Sequence, residues 1–407
     1  MLIFVSDLHL VDHPGRASFR GDLMFQAIRA TLATVDVERD PVTLVLLGDI
    51  FELLKSSVWF EKDVRPWSPP NDELVVAALK VLCNIKEQEE CKLFCTGLQA
   101  LHTDFKVTLQ YYPGNHDGLI DDMELPGLRS KLREMIHGLQ GIGDERFVSP
   151  LVDAVHGVVA EHGHQYDGFN RRAVKSGRFV AGDALVIELL VGLPRAVAMS
   201  CGIDEFGPEL TFLHEMDNVE PQSLDGLMRW LEFKMLDKDK SWKKVWEGEV
   251  SKALKTCGRR LRDAMKANSS EALARKAFWT LTRHSAFTRV SVLRKLACLP
   301  AIPSDEFAEI EDRMSAIEPT TEDWLQPPDV FVAGHTHAPL IEAFQTAKGL
   351  KMTYFNSGTW RRVYSPVRSL GNVAFVKSFR GALVCVHRLD LLSQTGIRAQ
   401  LKTDDLA

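Results

Sequence analysis

The chain offers no cysteine framework. Its seven cysteines are an odd number without C-x-x-C spacing, and Cys91 and Cys95, four apart, lack a second pair at zinc-knuckle distance. Reduced thiols of an intracellular, cytoplasmic protein are the expectation. Long apolar runs are lacking too. The longest, 185–201, is broken by Glu188, Pro194 and Arg195. It falls short of the roughly 20 uninterrupted residues that cross a bilayer and reads as a buried helix ahead of a membrane contact. Leu2 to Val5 reaches Asp7 at once, with neither the basic flank nor the long core of a signal peptide. Internal repeats and low-complexity tracts are absent, and so is global positive charge. Lys plus Arg total 49 against 55 Asp plus Glu, a net charge of −6, so composition gives no reason to expect an obligate nucleic-acid partner. What is there, 45% hydrophobic and 26% charged residues over 407 positions, suffices for a large globular core.

Five short β-rich segments each run into a cluster of metal-binding residue types. Leu2 to Ser6 precedes Asp7-Leu8-His9, Thr43 to Leu47 precedes Gly48-Asp49, and Val107 to Tyr112 precedes Gly114-Asn115-His116-Asp117. Val155 to Glu161 precedes His162-Gly163-His164, and Val330 to Ala333 precedes Gly334-His335-Thr336-His337. Apolar runs of this length suit strands buried on both faces, and polar clusters at their exits suit a site along one edge of an α/β sheet. Leu23 to Val35 and Asp72 to Glu89 carry helical spacing, the second opening on Pro70-Asn71-Asp72-Glu73.

Residues 171–326 differ in character. They are helix-rich in composition and hold five of the eight tryptophans, Trp230, Trp242, Trp246, Trp279 and Trp324. From Asp237 to Leu296 sixteen Lys or Arg face six Asp or Glu, a local charge of +10. Pro327-Pro328 marks the return to the sheet, and further strands are expected over 349–388. The division is therefore a core of 1–170 and 327–395, a helical insertion of 171–326 acting as cap or partner surface, and a flexible tail of 396–407.

Asp7, His9, Asp49, Asn115, His162, His164, His335 and His337 supply carboxylate, imidazole and amide oxygen, a hard-to-borderline set suited to Mn, Fe, Zn or Co. Singly, each block has an ordinary reading: Asp-x-His arises by chance, Gly-Asp is a turn with a helix cap, and His-x-His is a surface pair. In order, at five strand exits, they resemble the blocks of the calcineurin-like metallophosphoesterase superfamily. The matching residues are Asp7-x-His9, Gly48-Asp49-x-x-Glu52, Gly114-Asn115-His116-Asp117, His162-Gly163-His164 and Gly334-His335-x-His337.

The resemblance implies an α/β fold, a metallophosphoesterase-type αββα sandwich of two mixed sheets with a large helical insertion. It implies two divalent ions, Mn favoured over Fe or Zn. Asp7, His9, Asp49 and His337 would hold one, and Asp49, Asn115, His162 and His335 the other, with Asp49 shared. The implied activity is hydrolysis of a phosphorylated substrate by a hydroxide bridging the two ions, without a covalent phosphoenzyme. His116 would be the general acid or charge stabiliser at the leaving group, Glu52 would orient it through its second ring nitrogen, and Asp117 completes the catalytic group. His162 is preferred to His164 because the family's ligand usually precedes the glycine, which leaves His164 to contact substrate or support a ligand. Asn356, in Asn356-Ser357-Gly358, resembles a late family loop that supports the site, and a plain turn fits it equally.

The same blocks, with Asn356 to Trp360, resemble a bacterial subgroup that includes UDP-diacylglucosamine pyrophosphohydrolase, which cleaves a lipid-linked pyrophosphate. Two departures stand against that substrate: His116 occupies a position where that enzyme has Arg, and its insertion is much shorter. The basic insertion offers Lys243, Lys244, Arg259, Arg260 and Arg262 to a polyanion or an anionic membrane, against the plainer reading of solvated helix faces. Arg171, Arg172, Arg361 and Arg362 lie near blocks in sequence and are candidates for phosphate clamps. A nuclease-like phosphodiesterase and a catalytically silent binding protein on the same fold are the rival functions.

Overall fold

Alternation within the first two strands sets the architecture. In β1 (Leu2–Val5) Leu2 and Phe4 point to one face, Ile3 and Val5 to the other, and all four are buried. In β2 (Thr43–Leu47) Val45 and Leu47 join the first pair, while Leu44 and Leu46 join the second. Strands apolar on both faces need cover on both.

The computed structural model supplies that cover. It describes residues 1–61, 64–122, 124–137, 139–140, 150–167, 170, 180–219, 229–231, 233–234, 248–249, 252, 328–345, 351–369, 372–388 and 399–406. After β1 and β2 come β3 (Thr108–Tyr112), β4 (Leu139–Gln140), β5 (Leu151–Asp153), β6 (Val158–Ala160) and β7 (Val330–Ala333). They are followed by β8 (Leu340–Gln345), β9 (Lys351–Asn356), β10 (Arg362–Ser369), β11 (Asn372–Val386) and β12 (Ala399–Leu406). One sheet of seven strands has the order β10-β11-β1-β2-β3-β4, with β12 on β11; the other, of five, runs β5-β6-β7-β9-β8. Both are mixed. β1 to β4 are parallel with β11 antiparallel to β1, and β6, β7 and β9 are parallel between antiparallel β5 and β8.

The sheets meet through Leu2, Phe4, Val45 and Leu47 on one side and Val158, Ala160, Val330, Val332 and Phe355 on the other. The far face of the larger sheet is covered by α1 (Gly21–Leu32), α3 (Asp72–Glu87), α4 (Glu89–Phe105) and α5 (Pro126–Met135), the short α2 (Val58–Glu61) lying before α3. The chain is thus an α/β protein with two mixed sheets. Asn71 caps α3, its side chain accepting from Leu74 N at 2.9 Å, so the expected start is where the helix begins. The helix ends at Glu87, close to the expected Glu89, and the extended backbone of Gln88 (ψ 144°) separates it from α4, a second helix that the sequence reading did not include. The expected flexible tail needs correcting. Residues 399–406 form β12, which lies antiparallel on β11 from Val386↔Ala399 to Phe379↔Leu406, with Ala399 and Leu401 packed on the inter-sheet core.

In the described part of the insertion, α6 (Ala181–Leu185) continues through a π-helical turn (Val186–Val191) into α7 (Gly192–Cys201), and α8 (Thr211–His214) follows. The run Gly182–Cys201 is long and apolar enough to cross a membrane, and half of it is buried inside the protein. Leu193, Val197, Phe212, Leu213, Met216 and Trp230 pack against Tyr364 of β10. Ion pairs seat the same segment on the core: Glu188 on Arg65 (2.8 Å), Glu205 on Arg16 (3.1 Å), and Asp217 on both Lys55 and Arg361 (2.7 Å each).

Burial works against the charge of Asp217, but Lys55 and Arg361 outweigh it and hold the carboxyl well below the usual carboxylate range. Removing the anion strands two buried cations. Asp217→Ala should therefore lower folding stability by about 3–5 kcal/mol, read from the denaturant midpoint at neutral pH. Glu38→Ala, which breaks the exposed pair with Lys106, should leave that midpoint nearly unchanged.

Candidate metal centre

The chain leaving β1 is zipped to the chain leaving β2. Asp7 N donates to Gly48 O (3.1 Å), His9 N to Asp49 O (2.9 Å) and Leu10 N to Ile50 O (2.9 Å). Within this zip Asp7, His9 and Asp49 take left-handed φ values of 56°, 48° and 54°, and after β7 His335 and His337 do the same at 68° and 58°. Among the described residues six non-glycines are left-handed, and five are these candidate ligands. Such a backbone costs about 1–3 kcal/mol per residue and persists only where its surroundings enforce it, which is typical of functional sites. Two glycines make room. Gly48, at φ +85°, and Gly114 lie where a Cβ would collide with the His162 ring and with the Asp49 carboxylate respectively.

The side chains converge. Asp7 Oδ1 lies 3.2 Å from His337 Nε2 and 4.0 Å from Nε2 of both His9 and His162. Asp49 Oδ2 lies 3.1 Å from His162 Nε2 and 3.8 Å from His9 Nε2. Asp7, His9 and His337 form one group able to hold a metal ion, and Asp49, His162 and His335 a second; His9, Asp49 and His116 overlap both. Within each group the ligand atoms lie within 4.8 Å of one another.

Hydrogen bonds decide which nitrogens face inward. His162 Nδ1 donates to Leu47 O (2.9 Å) and His9 Nδ1 to Glu52 Oε2 (2.9 Å), so each presents Nε2 to the carboxylates. His9 Nε2 and His337 Nε2 then stand 3.0 Å apart, a separation that needs a proton or a cation between them. Asn115 Oδ1 is buried without a hydrogen-bond partner, which also suits a ligand atom. Carboxylate, imidazole and amide oxygen, with no thiolate, fit a borderline divalent ion.

The charges are sharply sorted. Burial pushes Asp7 up, yet His162 and His337 outweigh it and hold the carboxyl at about 2. Asp49 is likewise held well below its ordinary value by His162 and His116 against burial. Burial opposes a proton on His162, but Asp49 and Asp7 raise it to about 9, so an arriving cation must displace that proton. His9, deeply buried and near the Arg361 charge, falls to about 4. His116 is raised to about 10 by Glu52 and Asp49 despite burial.

Glu52 does more than the sequence reading gave it. Both of its oxygens lie 2.8 Å from His116 Nδ1, as expected, and Oε2 also holds His9. Leu54 N and Lys55 N donate to Oε1 at 3.2 and 3.1 Å, so the loop itself fixes the carboxylate, which is held below its usual range by His116 and His9 against burial.

Other expected residues fall elsewhere. Asp117, grouped with His116 as catalytic, is committed to the backbone. Its Oδ1 accepts from Gly114 N (2.6 Å) and Asp49 N (3.2 Å), and its Oδ2 from Ile50 N (2.9 Å), Phe51 N (3.3 Å) and Tyr111 Oη (2.6 Å). It pins the two loops together, with burial and the Asp49 charge raising it to about 6. Arg361, expected as a phosphate clamp, is buried and spent on Ser18 Oγ (2.9 Å) and Asp217 (2.7 Å). Arg362 pairs in β10 with Phe379. Arg171, Arg172, Lys243, Lys244, Arg259, Arg260 and Arg262 lie outside the described residues.

His164 stands behind His162, ring centroids 5.5 Å apart, and it is His162 that reaches Asp49. Asn356 supports the site: its Nδ2 donates to Gly334 O (2.6 Å) and its Oδ1 accepts from Gly358 N (2.9 Å), tying β9 to the His335 loop. Sequence reading missed Ser6, which links Asp7 to Ser357, and Asp167, whose Oδ2 lies 3.1 Å from His335 Nε2. A carboxylate one short turn beyond His-Gly-His was the available signal for Asp167.

Because Glu52 fixes His9, Glu52→Gln should weaken the binding of a divalent ion by about 10- to 100-fold, measured by calorimetric titration of the metal-free protein.

No family model matches the chain and no curated protein matches it, so the reading of this centre rests on its own geometry and chemistry.

Proposed function

We propose that the chain is a metal-dependent hydrolase of phosphoester bonds, on a metallophosphoesterase-type αββα sandwich. The observation that carries the proposal is the convergence of Asp7, His9, Asp49, His162, His335 and His337 on one buried cluster, with His116 held beside it by Glu52. Asp7, His9, Asp49 and His337 would hold one divalent ion, and Asp49, Asn115, His162 and His335 another, Mn²⁺ being the favoured metal. When bound, such a pair lowers the pKa of water from 15.7 toward about 7 and polarises a phosphoryl oxygen.

The chain's own residues do the rest. Asp7 and Asp49 offset only half the charge of two divalent ions, so the site keeps an attraction for a phosphoryl anion. His116, at about 10, carries a proton at neutral pH; Glu52 accepts from Nδ1, which leaves the Nε2 proton for a departing oxygen. A silent binding protein would have no use for an imidazolium oriented in this way.

With Mn²⁺ the purified protein should hydrolyse p-nitrophenyl phosphate or bis(p-nitrophenyl) phosphate, followed by nitrophenolate release. Absence of turnover with every divalent ion would overturn the enzymatic reading in favour of the binding one. Asp49→Asn should abolish turnover and lower metal content, measured by elemental analysis. His116→Ala should keep its metal and lose about 10²- to 10⁴-fold in rate, with a larger loss for phenyl than for p-nitrophenyl esters.

A further inference from the structure

The inward-facing imidazoles of His9 and His162 are each aimed by a partner on the other nitrogen, and His335 too has a partner, from an unexpected place. The 3-10 turn His164–Tyr166, which follows directly on His162, folds the chain back, with Tyr166 N donating to Gly163 O (3.1 Å) and Asp167 N to His164 O (3.2 Å). Asp167 Oδ2 thereby reaches His335 Nε2 at 3.1 Å. The same oxygen accepts from Asn170 Nδ2 (2.6 Å), and Asn170 Oδ1 lies 3.4 Å from Asn115 Nδ2. From the opposite side, His335 N donates to Asp7 Oδ2 at 2.9 Å.

We infer that Asp167 is a positioning residue: its carboxylate holds the Nε2–H of His335 and, through Asn170, steadies Asn115. An ionised carboxylate can only accept, so the proton stays on Nε2 and the lone pair of a neutral His335 ring lies on Nδ1. His335 is therefore aimed through the opposite nitrogen from His9 and His162, whose Nδ1 atoms are the ones held. The two side chains that Asp167 and Asn170 strap together, His335 and Asn115, both belong to the Asp49–His162 ion. Neither belongs to the Asp7–His9–His337 ion. Asp167 thus acts selectively on one of the two ions. This inference rests on the metal-centre reading proposed above.

The experiment is a Mn²⁺ titration of the metal-free full-length protein, wild type against Asp167→Ala and Asp167→Asn, with melting temperatures to confirm that each variant folds. Two sites are expected in the wild type. Asp167→Ala should weaken one of them by about 10- to 100-fold and leave the other unchanged. Asp167→Asn, whose amide oxygen can still accept from Nε2–H, should recover most of the loss. Imidazole nitrogen NMR on histidine-labelled metal-free protein, with His335 assigned through His335→Gln, should find the Nε2–H tautomer in the wild type and the Asn variant, and a mixture in the Ala variant. Two unchanged sites in Asp167→Ala, or equal weakening of both, would overturn the inference while sparing the metal centre. A wild-type protein that binds no Mn²⁺ would remove the metal-centre reading and the inference with it.

Discussion

Asp7 and Asp49 are carboxylates buried side by side at the ends of adjacent parallel strands, and the rest of the site answers to that placement. Parallel pairing forces their proximity, since the strand ladder continues into the loops through Asp7 N to Gly48 O and His9 N to Asp49 O. Like charges in a low-dielectric interior are tolerated only if positive charge or strong donors surround them. The imidazoles of His162 and His337 and the backbone N–H groups of His116 and His335 do this for the two carboxylates. The left-handed turns that aim them are costly, and the sheets packed on either side are rigid enough to impose that cost.

One carboxylate divides the labour among the imidazoles. Glu52 holds both His9 and His116, yet His9 falls to about 4 and His116 rises to about 10. The difference lies in what else each ring meets. His9 is deeply buried with the Arg361 charge nearby, so it stays neutral. His116 feels Glu52 and Asp49 together, so it stays charged. Environment, and not residue type, thus sets the charge of each ring.

The strand exits were legible in the sequence because strands buried on both faces leave nearly unbroken apolar runs, and the polar residues that end them stand out. The choice of His162 over His164 rested on the resemblance and agrees with which ring reaches Asp49. Orientation was not legible. Asp117 adjoins His116 in the chain, but adjacency in a turn does not determine where a side chain points, and its oxygens went to backbone donors of the neighbouring loop. Arg361 was equally opaque, because its partner Asp217 lies 144 residues away in the insertion. β12 escaped notice because what stabilises it is the long edge of β11, a property of the assembled sheet that the short terminal segment does not carry.

The described part of the insertion is coupled to the site by charge as well as by packing. Its anions Glu205 and Asp217 meet Arg16, Lys55 and Arg361, and each of these cations follows closely on a site block in the chain. Lys55 gives its backbone N–H to Glu52 and its ammonium to Asp217, so one residue joins the carboxylate that holds His116 to the insertion. Arg361 pairs with Asp217 while its charge helps keep His9 neutral. A core stripped of residues 180–219 would keep these cations without Glu205 and Asp217, beside a cluster whose protonation depends on them. The described part of the insertion and the Asp–His cluster are therefore one electrostatic unit, in which Glu205 and Asp217 balance cations of the core.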